Sequence, residues 1–178
     1  MYHSTATLVP DGRIMIAGSN PNADVTSTKY ATEYRECPSS LPFLLSLITH
    51  PGVEWLSPPY LALPRPTYTG LPATLPYNVN FTLSVTLPAN TSTVTVSLMD
   101  LGFATHGVHM DQRMVVLRSF LSADKTTLIV TGPPSAGVYP PGPSYLFVVT
   151  GAGVPSVAKR ALVGTGAGPP VDQGAIAK

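Results

Sequence analysis

The sequence predicts an all-β protein whose main domain is an immunoglobulin-like β-sandwich. The 178 residues include 20 prolines and 15 glycines, and only 11% of them are charged, which is typical of short strands joined by many turns. Several segments also alternate apolar and polar residues, as strands with one packed face do. The apolar members of the two clearest examples are Phe81, Leu83, Val85 and Leu87, then Val94, Val96 and Leu98.

The first 35 residues contain a predicted β-hairpin. Residues 2–9 and 13–17 flank a Pro10-Asp11-Gly12 turn. The second of these strands is apolar on both faces, so we expect cover on each side, which neighbouring blades of a β-propeller would supply. We therefore interpret residues 1–35 as the remnant of a propeller blade. The alternative is a stray hairpin packed on the main domain.

Residues 36–52 differ in character from the strand-like segments on either side. They hold Cys37, the single cysteine, and an unpatterned apolar run from residue 41 to residue 48. Removing them would join Arg35 to Val53 in one strand. Codons for Arg35-Glu36-Cys37 can contain an intron donor sequence, and codons for Pro51-Gly52 can contain an acceptor sequence. One hypothesis is therefore that residues 36–52 are a translated intron. The alternative is a genuine surface insertion with Cys37 as a free thiol.

We assign residues 53–166 to the sandwich and residues 167–178 to a loose, Gly-, Ala- and Pro-rich tail. A unit of roughly a hundred residues can bury its own core, and about seven short strands are typical of an immunoglobulin-like sandwich. The predicted strands cover residues 67–70, 79–87, 93–100, 112–117, 126–131, 144–150 and 156–163.

Charge and hydropathy argue against several classes of partner. The net charge is +1 without a basic run, so nucleic acid is not a predicted partner, and no apolar segment is long enough to span a membrane. Asn80 and Asn90 begin glycosylation sequons, which favours a secreted parent protein. Because no signal peptide follows Met1, we expect the chain to be incomplete.

Two histidines three positions apart, His106 and His109, are the strongest candidates for chemistry. In an extended segment, an odd spacing sends two side chains to opposite faces, so one ring could bind a metal while the other does not. The alternative is that both are loop histidines without a ligand role, because a metal site needs several convergent donors. Spacing alone does not choose between these readings.

Four segments together resemble the C-terminal part of fungal copper radical oxidases, the glyoxal oxidases related to galactose oxidase. They read YHSTATLVPDGRIMIAGSNPN, TEYR with EWLSPPYL, LGFATHGVHMDQRMVVL and YPPGPSYLFVVTGAGVPSVAKR. The resemblance covers nearly all of the chain except residues 36–52. It implies a propeller followed by a galactose-oxidase-like early-set β-sandwich, extracellular in the parent family.

The resemblance also implies a set of copper ligands. Tyr2 matches the axial tyrosine, which is also the catalytic base, and His3 matches the adjacent histidine ligand. His106 matches the histidine on a sandwich loop, whereas His109 falls where the family does not keep histidine. Two imidazoles and two phenolates suit a tetragonal Cu(II) site.

The family's remaining ligand, a tyrosine cross-linked to cysteine that carries a radical, has no match in this chain. In the parent, a small aldehyde or alcohol and dioxygen give an oxidised product and hydrogen peroxide. We therefore expect this chain to derive from such an oxidase and to be inactive by itself, with the missing propeller as its packing partner. The alternative is a stand-alone extracellular sandwich with a binding or structural role.

Overall fold

A computed structural model of the chain describes residues 4–18, 36–37 and 53–164. These residues form four β-sheets, so the predicted all-β class is confirmed. The helical element among them is a single 3-10 turn, Pro59–Ala62, and no helix in this part of the chain is long and apolar enough to cross a membrane.

The first sheet holds the predicted N-terminal hairpin. Its strand order is β1-β2-β4-β3, with β3 parallel to β4 and the other pairs antiparallel. We placed the start of the sandwich at residue 53, whereas the strand that begins there pairs with β2 in this first sheet. Of the predicted insertion, residues 38–52 lie outside the described residues. The strands are β1 (Thr5–Leu8), β2 (Ile14–Ala17), β3 (Glu36–Cys37) and β4 (Val53–Leu56).

Two further sheets face each other as a sandwich. One has the order β11-β8-β14-β15-β6 and the other the order β12-β13-β7-β5. Every strand predicted for the sandwich is present. The strands are β5 (Thr67–Thr69), β6 (Thr74–Leu75), β7 (Asn80–Thr86), β8 (Val94–Asp100), β11 (Arg113–Leu117), β12 (Ser119–Leu121), β13 (Thr127–Thr131), β14 (Gly142–Thr150) and β15 (Lys159–Val163). A separate two-stranded hairpin, β9 (Phe103–Thr105) and β10 (Val108–Met110), extends between β8 and β11.

The sandwich core is built from the alternating residues that the sequence pattern picked out. On β7 and β8, Leu83, Val96 and Leu98 are fully buried, and their polar neighbours Thr82 and Ser84 are exposed. Facing them from β13 and β14 are other fully buried aliphatic side chains. Each such side chain contributes roughly 1.5–3 kcal/mol through the hydrophobic effect. The sandwich therefore has a core of its own, independent of the first sheet.

Tyr68 on β5 connects the two sheets of the sandwich. Its hydroxyl donates a hydrogen bond to the carbonyl of Leu146 at 2.6 Å and accepts one from the backbone N–H of Lys159 at 2.9 Å. The Lys159 ammonium donates to the Tyr68 carbonyl at 2.8 Å and lies 5.2 Å from the ring centroid. Burial raises the pKa of the Tyr68 phenol from 10.0 to about 12, although the Lys159 N–H opposes this shift.

This raised pKa predicts a loss of stability in alkali. The unfolded chain releases the Tyr68 proton near pH 10, and the folded chain releases it near pH 12. The contribution of the protonated phenol to the free energy of unfolding is therefore complete below about pH 10 and is lost as the pH rises through about 12. We expect the free energy of unfolding to fall by roughly 2 kcal/mol across this range. Urea unfolding of the wild-type chain and Tyr68→Phe measures the effect, with Tyr145→Phe as a hydroxyl-removal control. An equally steep loss in Tyr68→Phe would contradict the assignment.

Candidate functional site

The hairpin formed by β9 and β10 presents His106 at its tip. His106 and Gly107 connect the two strands and both have positive φ angles, 52° and 74°, as the central residues of a type I′ turn do. Residues other than glycine rarely adopt such angles, so His106 is held in a conformation that has a cost. The ring is exposed to solvent.

The base of this hairpin is fixed by a tight corner at Gly102. The N–H of Gly102 donates to the Asp100 carboxylate at 2.9 Å, and its φ of 70° favours glycine. A Cβ at this position would collide with the backbone oxygen of Met110. The sequence therefore needs glycine here to fold β10 back across β9.

One nitrogen of the His106 ring is engaged within the hairpin. Nδ1 lies 2.8 Å from the hydroxyl oxygen of Thr105. This contact does not use Nε2, the outer nitrogen of the exposed ring. A metal ion that reached the tip would therefore meet an imidazole nitrogen with a free lone pair whenever Nδ1 carries the proton.

His109 has a different role from His106. Its Nε2 lies 2.8 Å from the carbonyl of Leu101 and 3.3 Å from the hydroxyl of Thr7 on β1. Because a carbonyl can only accept, Nε2 carries the proton in this arrangement. The two rings thus occupy different environments. The difference arises because His106 lies in the turn, and not from the strand alternation on which the sequence prediction relied.

The turn between β1 and β2 docks directly on the sandwich. The carbonyls of Pro10, Asp11 and Gly12 each accept one hydrogen bond from outside the first sheet. The donors are Ala158 N–H at 2.8 Å, the Arg65 guanidinium at 2.7 Å and the Tyr60 hydroxyl at 2.5 Å. A half-open cavity of about 140 Å³ lies between the first hairpin and the sandwich and is lined mainly by apolar side chains, including Leu8, Met99 and Phe147.

Arg65 is the centre of this junction. Besides the bond to Asp11, its guanidinium donates to the carbonyls of Pro155 and Ser156, each at 2.7 Å. Gly12 is a glycine because its φ is 92° and because an added Cβ would press against Arg65 and Tyr60, at 3.2 and 3.3 Å. Three charge-assisted bonds from one side chain tie the hairpin turn to the loop before β15. The sequence did not identify this role of Arg65.

Large apolar side chains are exposed on the same stretch of chain as the His106 hairpin. Phe103 and Val108 on the hairpin are 53% and 51% exposed, and Met114 and Val116 on the edge strand β11 are 61% and 60% exposed. Grouped exposed apolar residues mark an interaction site more often than isolated ones do, and these four residues fall within one stretch of chain, 103–116. We call these four residues the hairpin apolar surface.

The other predicted site residues are distributed as follows. Tyr2 and His3 lie outside the described residues, three and two positions before β1 begins. In residues 4–18 and 53–164, no three His, Cys, Asp or Glu side chains come together as a metal cluster. Of the sequon residues, Asn80 is exposed at the start of β7, and Asn90 is an exposed turn residue with a φ of 62°.

A family model described as galactose oxidase-like, early set domain matches residues 65–163, from Arg65 to the end of β15. The chain belongs to this family. The predicted resemblance and the early-set β-sandwich are thereby confirmed, and the matched span is the early set domain. The first sheet, which precedes Arg65, lies outside the matched span.

This chain aligns with a minor part of the length of the proteins to which it is similar. The aldehyde oxidase GLOX of Vitis pseudoreticulata is 38% identical over 169 residues, which is 89% of this chain and 29% of that protein. A galactose oxidase of Gibberella zeae is 31% identical over 163 residues, which is 92% of this chain and 21% of that protein. The chain thus spans less than a third of these relatives.

A solved structure with a similar fold is a fungal alcohol oxidase of the AA5 family in complex with copper. It superposes with a TM-score of 0.68 at 25% sequence identity, covering 92% of this chain and 31% of that one. The similarity extends over the early set domain and beyond it, because the family model accounts for residues 65–163 alone.

Proposed function

We propose that this chain forms part of a copper-dependent oxidase that converts a small aldehyde or primary alcohol, with dioxygen, into an oxidised product and hydrogen peroxide. The observation that carries the proposal is the exposed His106 imidazole at the tip of the hairpin, whose Nε2 takes no part in the hydrogen bond between Nδ1 and Thr105. Sequence similarity to an aldehyde oxidase and a galactose oxidase, and structural similarity to an alcohol oxidase in complex with copper, support the proposal.

Tyr2, His3 and His106 would hold the copper. One phenolate and two imidazoles are donors that suit Cu(II), and a further oxygen donor would complete a tetragonal site. Bound copper would supply a one-electron acceptor beside the substrate. Tyr2 would also receive the substrate hydroxyl proton on its phenolic oxygen, since phenolate is a base that copper can stabilise.

Contacts between β1 and the hairpin make this ligand set sterically reasonable. Thr7 on β1 touches His109 on β10, so β1 and the His106 hairpin lie side by side. His3 is four positions before Thr7, and an extended chain spans roughly 13 Å over four steps. At the turn between β1 and β2, Arg65 binds the Asp11 carbonyl and so restricts movement of the first sheet relative to the sandwich.

We further propose that a β-propeller packs on the hairpin apolar surface and supplies the tyrosine–cysteine radical cofactor. The chain contains one cysteine, Cys37, in the segment interpreted as an insertion, and nothing matching the family's cross-linked pair. In this proposal residues 1–35 are propeller blade, and the 178-residue chain alone is inactive. A secreted parent with sugars on Asn80 and Asn90 would accord with the two sequons.

The proposed insertion at residues 36–52 can be checked on the transcript. A translated intron predicts that most messages lack the segment and join Arg35 to Val53. An abundant message that retains it would contradict the intron and favour a genuine insertion.

The activity proposal is tested by assaying copper content and peroxide production of the purified chain. We expect no peroxide from glyoxal, methylglyoxal or galactose with added Cu(II), and we expect peroxide once the chain is joined to a propeller bearing the tyrosine–cysteine pair. Turnover by the chain alone would refute the proposed inactivity. A stable, soluble sandwich that stays inactive when joined to the propeller would favour the stand-alone binding or structural module instead.

A further inference from the structure

The outer face of the sheet β12-β13-β7-β5 carries an unusual apolar pair. Most outward side chains of this sheet are threonine, serine or asparagine, whereas Phe120 on β12 and Ile129 on β13 are 67% and 41% exposed. These two residues are directly paired across the strands, and Ile129 is paired in turn with Thr82 on β7. They form one row across the sheet.

Asn80 lies in the neighbouring row on the same face. It pairs with Thr131, two residues beyond Ile129, and the alternation of β7 directs both Asn80 and Thr82 outward while Leu83 points into the core. Diagonal neighbours of this kind on antiparallel strands are about 7–8 Å apart. A group attached to Asn80 would therefore be within reach of Ile129 and then of Phe120.

The Asn80 side chain is already oriented for modification. Its Oδ1 accepts a hydrogen bond from the Thr131 hydroxyl at 2.8 Å. Nδ2, the atom that carries the sugar in an N-linked glycan, takes no part in this bond. Asn80-Phe81-Thr82 satisfies the acceptor pattern, so the chemical requirement and the geometry coincide.

We propose that Asn80 is N-glycosylated and that the first sugars of the glycan pack on Phe120 and Ile129. A secretory-pathway transferase would join Nδ2 to the anomeric carbon of a lipid-linked oligosaccharide. The new C–N bond replaces the bond from that carbon to the pyrophosphate of the lipid carrier, and Nδ2 loses one proton. The C–H face and N-acetyl methyl of the first sugar then cover aromatic and aliphatic surface that otherwise meets water.

The second sequon provides an internal control. Asn90 lies in a turn near the exposed Lys125 ammonium, which donates to the Thr91 carbonyl at 3.0 Å. It does not belong to the sheet face that carries the Phe120 and Ile129 pair, because it lies in the turn between β7 and β8. A glycan on Asn90 is therefore expected to extend into solvent and to leave the stability of the fold unchanged.

The test is secretion of the whole chain from a yeast host, followed by mass spectrometry and thermal unfolding. We expect a glycan on Asn80, and we expect Asn80→Gln to lower Tm by about 3 °C while Asn90→Gln does not. In a Phe120→Thr background, Asn80→Gln should no longer lower Tm. Phe103→Thr, which removes an exposed ring from β9 rather than from this sheet, should leave the Asn80 effect intact.

A second measurement reports the contact without relying on stability. In the glycosylated chain, the N-acetyl methyl resonance of the first sugar should shift upfield because of the Phe120 ring current, and Phe120→Thr should abolish that shift. An unmodified Asn80 in the secreted chain overturns the proposal. An N-acetyl methyl resonance at its usual position also overturns it. The same holds if Asn80→Gln changes Tm equally with and without the Phe120 ring. None of these outcomes depends on copper or oxidase activity.

Discussion

Replacing Arg65 with alanine is expected to release the first sheet from the sandwich while the sandwich stays folded. The guanidinium makes three hydrogen bonds to carbonyls of two segments, Asp11 on one side and Pro155 with Ser156 on the other. Bonds of this type are worth about 1.5–3 kcal/mol each but do not add fully, so we expect a loss of about 3 kcal/mol. That corresponds to roughly a hundredfold increase in the undocked population.

Hydrogen exchange of the chain measures this release segment by segment. Amides of β1 and β2 should exchange roughly a hundredfold faster in Arg65→Ala, whereas amides of β8 and β14 should keep wild-type protection. In Arg65→Lys, the amides of β1 and β2 should exchange nearly as fast as in Arg65→Ala, because an ammonium lacks the planar set of donors that reaches three carbonyls. Arg118→Ala, the loss of an exposed guanidinium, is the matched control. Equal protection of the first sheet in all three variants would show that Arg65 does not hold it.

This junction has a functional consequence under the proposed site. Tyr2 and His3 precede the first sheet and His106 follows β8, so the ligands come from segments about a hundred residues apart in the chain. Only a fixed relation between the first sheet and the sandwich would let them meet at one ion. Arg65 would then assist copper binding without contacting it, by lowering the entropy lost when the ligands converge.

The sandwich could be predicted because its signals are local. Alternation at Phe81 to Leu87 located β7, and the Asp11-Gly12 pair located the first turn. Strand β12 could not be found in this way. The chain crosses from one sheet to the other at Arg118, between β11 and β12, and no glycine, proline or asparagine marks the crossing in the sequence.

The contacts that organise the site are not local, and no sequence pattern marks them. Arg65 sits between two prolines, and its partners are 54 and 90 or 91 residues away. His109 likewise contacts Thr7, 102 residues away. Tertiary packing creates these pairs. The sequence therefore shows which side chain can donate, but it does not show which distant group accepts. His106 was suggested as a ligand by resemblance, and the structure adds its position at a turn and its engaged Nδ1.

Replacing His106 with asparagine is expected to weaken Cu(II) binding by about a hundredfold or more, whereas changing His109 should have little effect. Loss of a group that merely supports a ligand typically costs 10- to 100-fold in metal affinity, and His106 is proposed as a ligand itself. Asparagine is chosen because it tolerates the positive φ of 52° at this position, so the turn is kept while the imidazole is lost. His109→Gln retains an N–H that can reach the Leu101 carbonyl and serves as the matched variant.

Competition titration with a chromophoric copper chelator gives the affinities, and nitrogen hyperfine structure in the electron paramagnetic resonance spectrum counts the imidazoles. The chain should carry a short N-terminal extension, so that a free terminal amine near His3 does not create a separate copper site. We expect two imidazole nitrogens in the wild-type chain and in His109→Gln, but one in His106→Asn. Equal losses of affinity in both variants would mean that the hairpin itself, rather than its exposed ring, is what copper binding requires. A wild-type spectrum from His106→Asn would remove His106 from the proposed site altogether.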